Sequence, residues 1–111
     1  MDIKGYHAHI YYAVMSKGKA ELLREQLEAN FEIKLGRWRD KPVGPHTQAM
    51  YQVKFERDLF SELVPWLALN HRGLSVLIHP LTGNDLADHT EYALWLGTQL
   101  SIREEIFEER P

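Results

Sequence analysis

Six histidines stand in a chain of 111 residues that contains no cysteine. His7 and His9 fall two apart in the stretch GYHAHIYYAV. Side chains at i and i+2 on a strand share a face, so this pair can bind one ion or supply a ligand and its neighbour. With no thiolate in the chain, imidazole together with carboxylate is the strong metal-binding chemistry left. Neutral imidazole suits iron, zinc, copper or nickel. His46 follows the turn VGP, His79 precedes Pro80 in SVLIHP, and His89 lies in NDLADHTEY. Near the start of a helix, the positive end of the dipole disfavours an imidazolium at His89; a ligand or general base requires the neutral form. His71, in LNHRG at a helix end, reads instead as a cation facing the negative end of a dipole, outside the site.

Strands and helices must position these groups. Residues 5–14 alternate, with Ala8, Ile10, Tyr12 and Val14 on one side and His7, His9, Tyr11 and Ala13 on the other, which predicts a strand. Residues 17–31 place Ala20, Leu23, Leu27 and Phe31 at helical spacing, with Gly18 as N-cap. Residues 32–39 read as a strand bulged at Gly36, because Trp38 falls out of phase with Ile33 and Leu35. After the turn DKPVGPH, residues 47–55 alternate again. A helix follows over 57–73, capped by Asp58, carrying Leu63 and Leu67, kinked by Pro65 and stopped by Gly73. The next strand, LSVLIH, ends at Pro80. A third helix is predicted over LADHTEYALWLG, with Asn84 or Asp85 as cap, Trp95 in its apolar stripe and Gly97 as stop. Beyond it lie a short edge strand and a charged tail.

The order β-α-β-β-α-β with an added C-terminal helix is the split βαβ pattern. It predicts an α+β, ferredoxin-like fold for residues 1–111, with helices on one face of an antiparallel sheet ordered 4-1-3-2. If Ile10, Tyr12, Val53, Phe55, Val76 and Ile78 face the helices, then His7, His9 and His79 point to the open face, and His46 continues the same phase. Antiparallel register puts the start of the third strand near the end of the first, so His46 reaches the others through its loop or serves a partner subunit. Met50, Leu77 and Tyr11 share the open face, so the third helix, a second subunit, or both must cover it. A homodimer is expected on that ground.

Composition narrows the function classes. The net charge of −3 and pI near 6.0 argue against nucleic acid, since the basic cluster Arg37, Arg39, Lys41 is short and reads as a solvated face. No apolar run is long enough for a membrane span and no secretory h-region opens the chain, so a cytoplasmic location is expected. There is no GxGxxG, GxxxxGK[ST] or GxSxG, which disfavours nucleotide and serine-hydrolase chemistry. Arg72 or Arg37 could meet a substrate carboxylate, and nothing in the sequence selects between them.

Taken together, YHAHIYY, GPH leading into MYQVKF, GLSVLIHPLTGNDLADHT and ALWLG resemble, in the same order, the DOPA 4,5-dioxygenase family. The resemblance runs from about Tyr6 to Gly97, and SVLIHPLTG followed by DH is its most specific piece. It implies a ferredoxin-like fold, a non-haem Fe(II) centre, and a catechol such as L-DOPA opened with O₂. The matching positions are His9, His46, His79 and His89, with His7 beside them. On this reading His9, His46 and His79 bind the metal, His89 or His7 moves protons, Tyr11 stacks on or hydrogen-bonds the ring, and Asp88 orients a neighbour. No carboxylate is in phase on the strands; Asp85, Asp88 and Glu91 are the nearest. The rival readings are a zinc site built from the same imidazoles and a non-enzymatic small-molecule-binding or regulatory ferredoxin-like dimer.

Overall fold

The computed structural model of the chain describes residues 1–108. Strands β1 (Tyr6–Tyr12), β2 (Lys34–Leu35), β3 (Ala49–Phe55), β4 (Val76–Pro80) and β5 (Leu94–Leu96) form one sheet in the order β2-β3-β1-β4-β5. Every pairing is antiparallel. Helices α1 (Lys17–Asn30) and α2 (Phe60–Asn70) provide Leu23, Leu27, Leu63 and Leu67 to a core with Ile10, Tyr12, Val53, Phe55, Val76 and Ile78. The helix-facing strand phase is therefore the expected one, and the fold is α+β with the expected central four strands. No helix among the described residues is long and apolar enough to cross a membrane.

The third helix differs from expectation. Helix α3 covers only Asp85–His89, capped by the Asn84 side chain, which accepts from the Ala87 amide. The backbone then turns at Thr90, whose amide donates to the Ala87 carbonyl, and residues 94–96 pair with β4. ALWL fits both a helical and a period-two pattern, and the otherwise unpaired edge of β4 decides for the strand by satisfying its backbone groups. Trp95 thus leaves the helical core and joins Tyr11, Met50 and Leu77 on the open face, while Leu96 turns to the core. A fourth helix, α4 (Glu105–Glu108), lies in the segment expected to be a charged tail. The chain's own residues 93–102 pack on that apolar open-face cluster, with Ala93, Leu100 and Ile102 against it.

Helix starts also shift. Ser16, not Gly18, precedes α1, its hydroxyl taken by the Ala13 amide, and a 3₁₀ turn over Arg57–Leu59 leads into α2 in place of an Asp58 cap. Helix α2 ends at Asn70, three residues before Gly73, and Arg72 and Gly73 both take positive φ. His71 caps its end, donating from Nδ1 to the Leu74 carbonyl, remote from the other histidines.

The bulge beside Gly36 explains Trp38. Gly36 donates to Gln52 and Arg39 pairs with Met50, so three residue steps on one strand oppose two on the other. The extra residue turns Trp38 into the core against Tyr12 and Tyr51. Gly97 fixes the end of β5: its φ is +72°, and a Cβ there would lie 2.6 Å from the Leu74 carbonyl oxygen. Gly97→Ala is expected to lower stability by about 1–3 kcal/mol. An unshifted thermal midpoint would show that this turn does not hold the edge strand.

Candidate functional site

Register brings the imidazoles together. His7 lies directly across from His79, and His9 is one pleat along on the same face of β1. His46 sits in the loop before β3, where its backbone bridges Ile102, and His89 ends α3. The ring of His9 is 4.3 Å from that of His46 and 5.1 Å from that of His79, and the His79 and His89 centroids are 4.0 Å apart. All five come from one chain, so His46 reaches the cluster through its loop without a second subunit. His9, His46 and His79 are buried; His7 and His89 are half-buried.

Two trios place one ligand atom from each residue within 4.8 Å of one another: His7, His9, His79 and His9, His46, His89. His9 belongs to both. The trio expected from strand phase, His9, His46 and His79, straddles the two sets.

The hydrogen bonds fix tautomers. His79 Nδ1–H donates to the Pro80 carbonyl at 2.9 Å, and His89 Nδ1–H donates to the Asp85 carbonyl at 2.7 Å. Each ring therefore presents an unprotonated Nε2 to the cluster while neutral. His9 Nε2 lies 3.0 Å from His79 Nε2. Since the His79 nitrogen has no proton to give, the His9 Nε2–H is the donor, and the His9 lone pair is left on Nδ1. That atom is buried and nothing among the described residues bonds to it. A buried unsatisfied nitrogen costs about 1–3 kcal/mol, so this lone pair is an unmet demand that a cation would satisfy. The donor set, neutral nitrogens with no thiolate, fits a first-row divalent ion.

Electrostatics keep the rings neutral. Burial lowers the His7 pKa to about 4, helped by Lys54 and His89. Burial, then His89 and His7, lowers His46 to about 4. His79 falls to about 3, again through burial first and His89 next, against the opposing hydrogen bond to Pro80. Burial also takes His9 well below its usual value, with His46 and His79 adding to it. His89 is lowered by burial despite its bond to the Asp85 carbonyl and the charges of Asp85 and Asp88.

Tyr11 and Asp88 are each tied to a neighbour of the cluster. Tyr11 is buried, its ring stacked on Trp95 and its hydroxyl 2.7 Å from His46 Nδ1. It reaches the site by its oxygen and offers no open ring face. Burial raises the pKa of that phenol, so it stays protonated. Tyr11→Phe strands His46 Nδ1 and is expected to cost about 1–3 kcal/mol, measured by denaturant unfolding with an unchanged slope. Retention of full stability would show that water replaces the hydroxyl. Asp88, buried beside His89, accepts from the Thr82 amide and hydroxyl and ties the turn after β4 to α3. Asp85 lends the site its carbonyl, through the bond to His89. Phe107 of α4 lies 4.9 Å from the His89 ring, a neighbour that the charged sequence around it concealed.

Two sequence relatives and one solved structure are similar to the chain. An uncharacterized 21.2 kDa protein of Botryotinia fuckeliana is 34% identical over 87% of this chain and 60% of its own length. A protein of Amanita muscaria named DOPA 4,5-dioxygenase is 31% identical over 91% of this chain and 48% of its own. The chain thus spans about half to three fifths of the length of these two relatives. A crystal structure from Nostoc punctiforme, of a protein provisionally assigned as a dioxygenase, superposes with a TM-score of 0.95 at 48% identity, covering 96% of this chain and 93% of its own. The profile of one family matches residues 6–106, nearly the whole described chain with every histidine of the cluster inside it: the chain belongs to the Dopa 4,5-dioxygenase family.

Proposed function

We propose that the histidine cluster is the metal centre of a ring-opening, extradiol-type dioxygenase that acts on a catechol such as L-DOPA with O₂. Fe(II) is the expected ion, with zinc as an alternative occupant. Family membership and the name of the Amanita relative support the reaction class. The observation that carries the metal is the unpartnered, buried lone pair of His9 Nδ1 among convergent neutral imidazoles.

On this reading the ion is held by His9 Nδ1, His46 Nε2 and His89 Nε2. This trio borders two cavities, one reaching His9 and His46 and the other His89, which gives reactants access. His79 then sits behind His9, accepting its Nε2–H and passing the orientation on to the Pro80 carbonyl. Metal-binding histidines characteristically anchor their second nitrogen in this way. His79 and His89 thereby exchange the roles that strand phase suggested. Tyr11 holds His46 by the same logic, its oxygen accepting the Nδ1–H.

When bound, Fe(II) supplies a Lewis acid for the catechol oxygens and a redox partner for O₂. The chain supplies the rest. His7, half-buried at the edge of the cluster and neutral above about pH 4, is the group available to accept a catechol proton. Tyr11, Trp95, Leu77 and Met50 form an apolar patch beside the cluster that excludes water on that side.

The test is an anaerobic Fe(II) titration followed by catechol and then air. About one iron per chain, oxygen uptake and a coloured ring-opened product are expected. Iron binding without oxygen uptake on any catechol would favour a binding module; tight zinc retention without turnover would favour a structural or hydrolytic site.

A further inference from the structure

The open face changes character across the sheet. The row through His79 and His7 continues to Lys54 on β3 and Lys34 on β2. The row through Leu77 and His9 continues to Gln52 and then Gly36, which has no side chain. The row through Tyr11 continues to Met50 and Arg39. Imidazoles on β4 and β1 therefore give way to cations at the β2 edge.

Between the two lies a cavity of about 280 Å³, lined on the sheet side by His9, His46, Met50 and Gln52 and on the outside by Arg37 and Arg39. Those arginines are its charged residues, and no carboxylate lines it. Neither arginine has an ion-pair partner among the described residues, although the chain carries a net charge of −3. Arg37 is in the segment where the bulge adds a residue, so the same distortion that seats Trp38 in the core places a guanidinium at this mouth. Arg72, by contrast, bonds Gln26 on α1, on the helix side of the sheet. The cavity beyond His89 has the opposite charge, Glu104.

We propose that this mouth selects catechols that carry a carboxylate, held by Arg37 and Arg39 while the diol faces His9 and His46. The inference rests on the catechol reading above, whose example L-DOPA itself carries a carboxylate, and adds the residues that recognise that group. A guanidinium matches a carboxylate with paired, parallel hydrogen bonds, which a neutral or cationic side chain cannot supply.

Anaerobic calorimetry on the Fe(II)-loaded protein with dihydrocaffeate, ethylcatechol and dopamine tests it without turnover. Dihydrocaffeate is expected to bind about tenfold more tightly than ethylcatechol, with dopamine weakest. Added salt should shrink the gap, because exposed ion pairs are screened. The double variant Arg37→Gln, Arg39→Gln, made at exposed positions, is expected to abolish the preference. In turnover the loss should appear in KM for the acid with kcat held. Equal affinity for the acid and ethylcatechol in the unaltered protein overturns the proposal, as does an equal loss for both in the double variant. If none of the three binds, the catechol reading itself falls, and this inference with it.

Discussion

His9→Ala is expected to abolish metal binding, while His79→Ala weakens it by about 10–100-fold and leaves the stoichiometry intact. The two rings stack 5.1 Å apart and both are buried, so proximity alone would assign them equal roles. The hydrogen-bond chain separates them. His79 gives its Nδ1 proton to Pro80 and takes the His9 proton at Nε2; both nitrogens are engaged before any ion arrives. Of the two rings, His9 is the one that keeps a buried nitrogen, Nδ1, with no partner among the described residues. Removing His79 frees the His9 ring to rotate and to change tautomer, which lowers affinity without deleting a ligand. Removing His9 deletes the residue shared by both ligand trios. Chelator competition with Zn(II), together with metal content after desalting, measures both effects, and circular dichroism confirms that each variant folds. Equal losses in the two variants would sink the assignment. So would a His89→Ala variant with undiminished affinity, because it would place the ion in the other trio.

The strand phase was legible in the sequence because each strand has one buried and one open face. Ile10, Val53 and Ile78 on one side forced His7, His9 and His79 to the other. What escaped was set by contacts between distant segments. The facing of His7 and His79 depends on antiparallel register, which turn lengths and packing decide. His46 lies in a loop, where no periodicity reports direction. ALWL satisfied two periods at once, and the exposed edge of β4 chose the strand. Trp38 did announce a bulge by breaking phase, yet its consequence, arginines beside the histidine cavity, depends on how that segment packs against the sheet. The proposed exchange of His79 and His89 turns on single protons donated to backbone carbonyls, which residue identity alone does not encode.

The same neutral imidazoles make the metal-free protein acid-sensitive well above the pH at which they protonate in the fold. His46 and His79 hold pKa values of about 4 and about 3 when folded, against 6.5 for the free side chain, with burial as the main cause. Between those limits the unfolded chain binds protons that the folded chain refuses, so stability rises with pH and falls on acidification. The loss begins as pH drops below about 6.5 and continues to the folded values, where it levels off. Each group withdraws up to about 1.4 kcal/mol per pH unit in that window, and the two together about 3 kcal/mol. Against a total margin of about 5–15 kcal/mol, one or two pH units are decisive. The metal-free protein is therefore expected to lose its thermal midpoint steeply from pH 6.5 to pH 5. Bound Zn(II) or Fe(II) should restore the midpoint by mass action, since an ion that binds only the folded chain adds stability with the logarithm of its concentration. Because burial holds the folded rings below the ordinary imidazole value of 6.5, metal affinity itself should begin to fall at a lower pH than that and collapse as the folded pKa values are approached. An ordinary exposed histidine site would instead lose affinity from about pH 6.5 downward. A midpoint of the metal-free protein that is level across this range would mean that the unfolded and folded imidazoles titrate alike, and that the cluster is open to water.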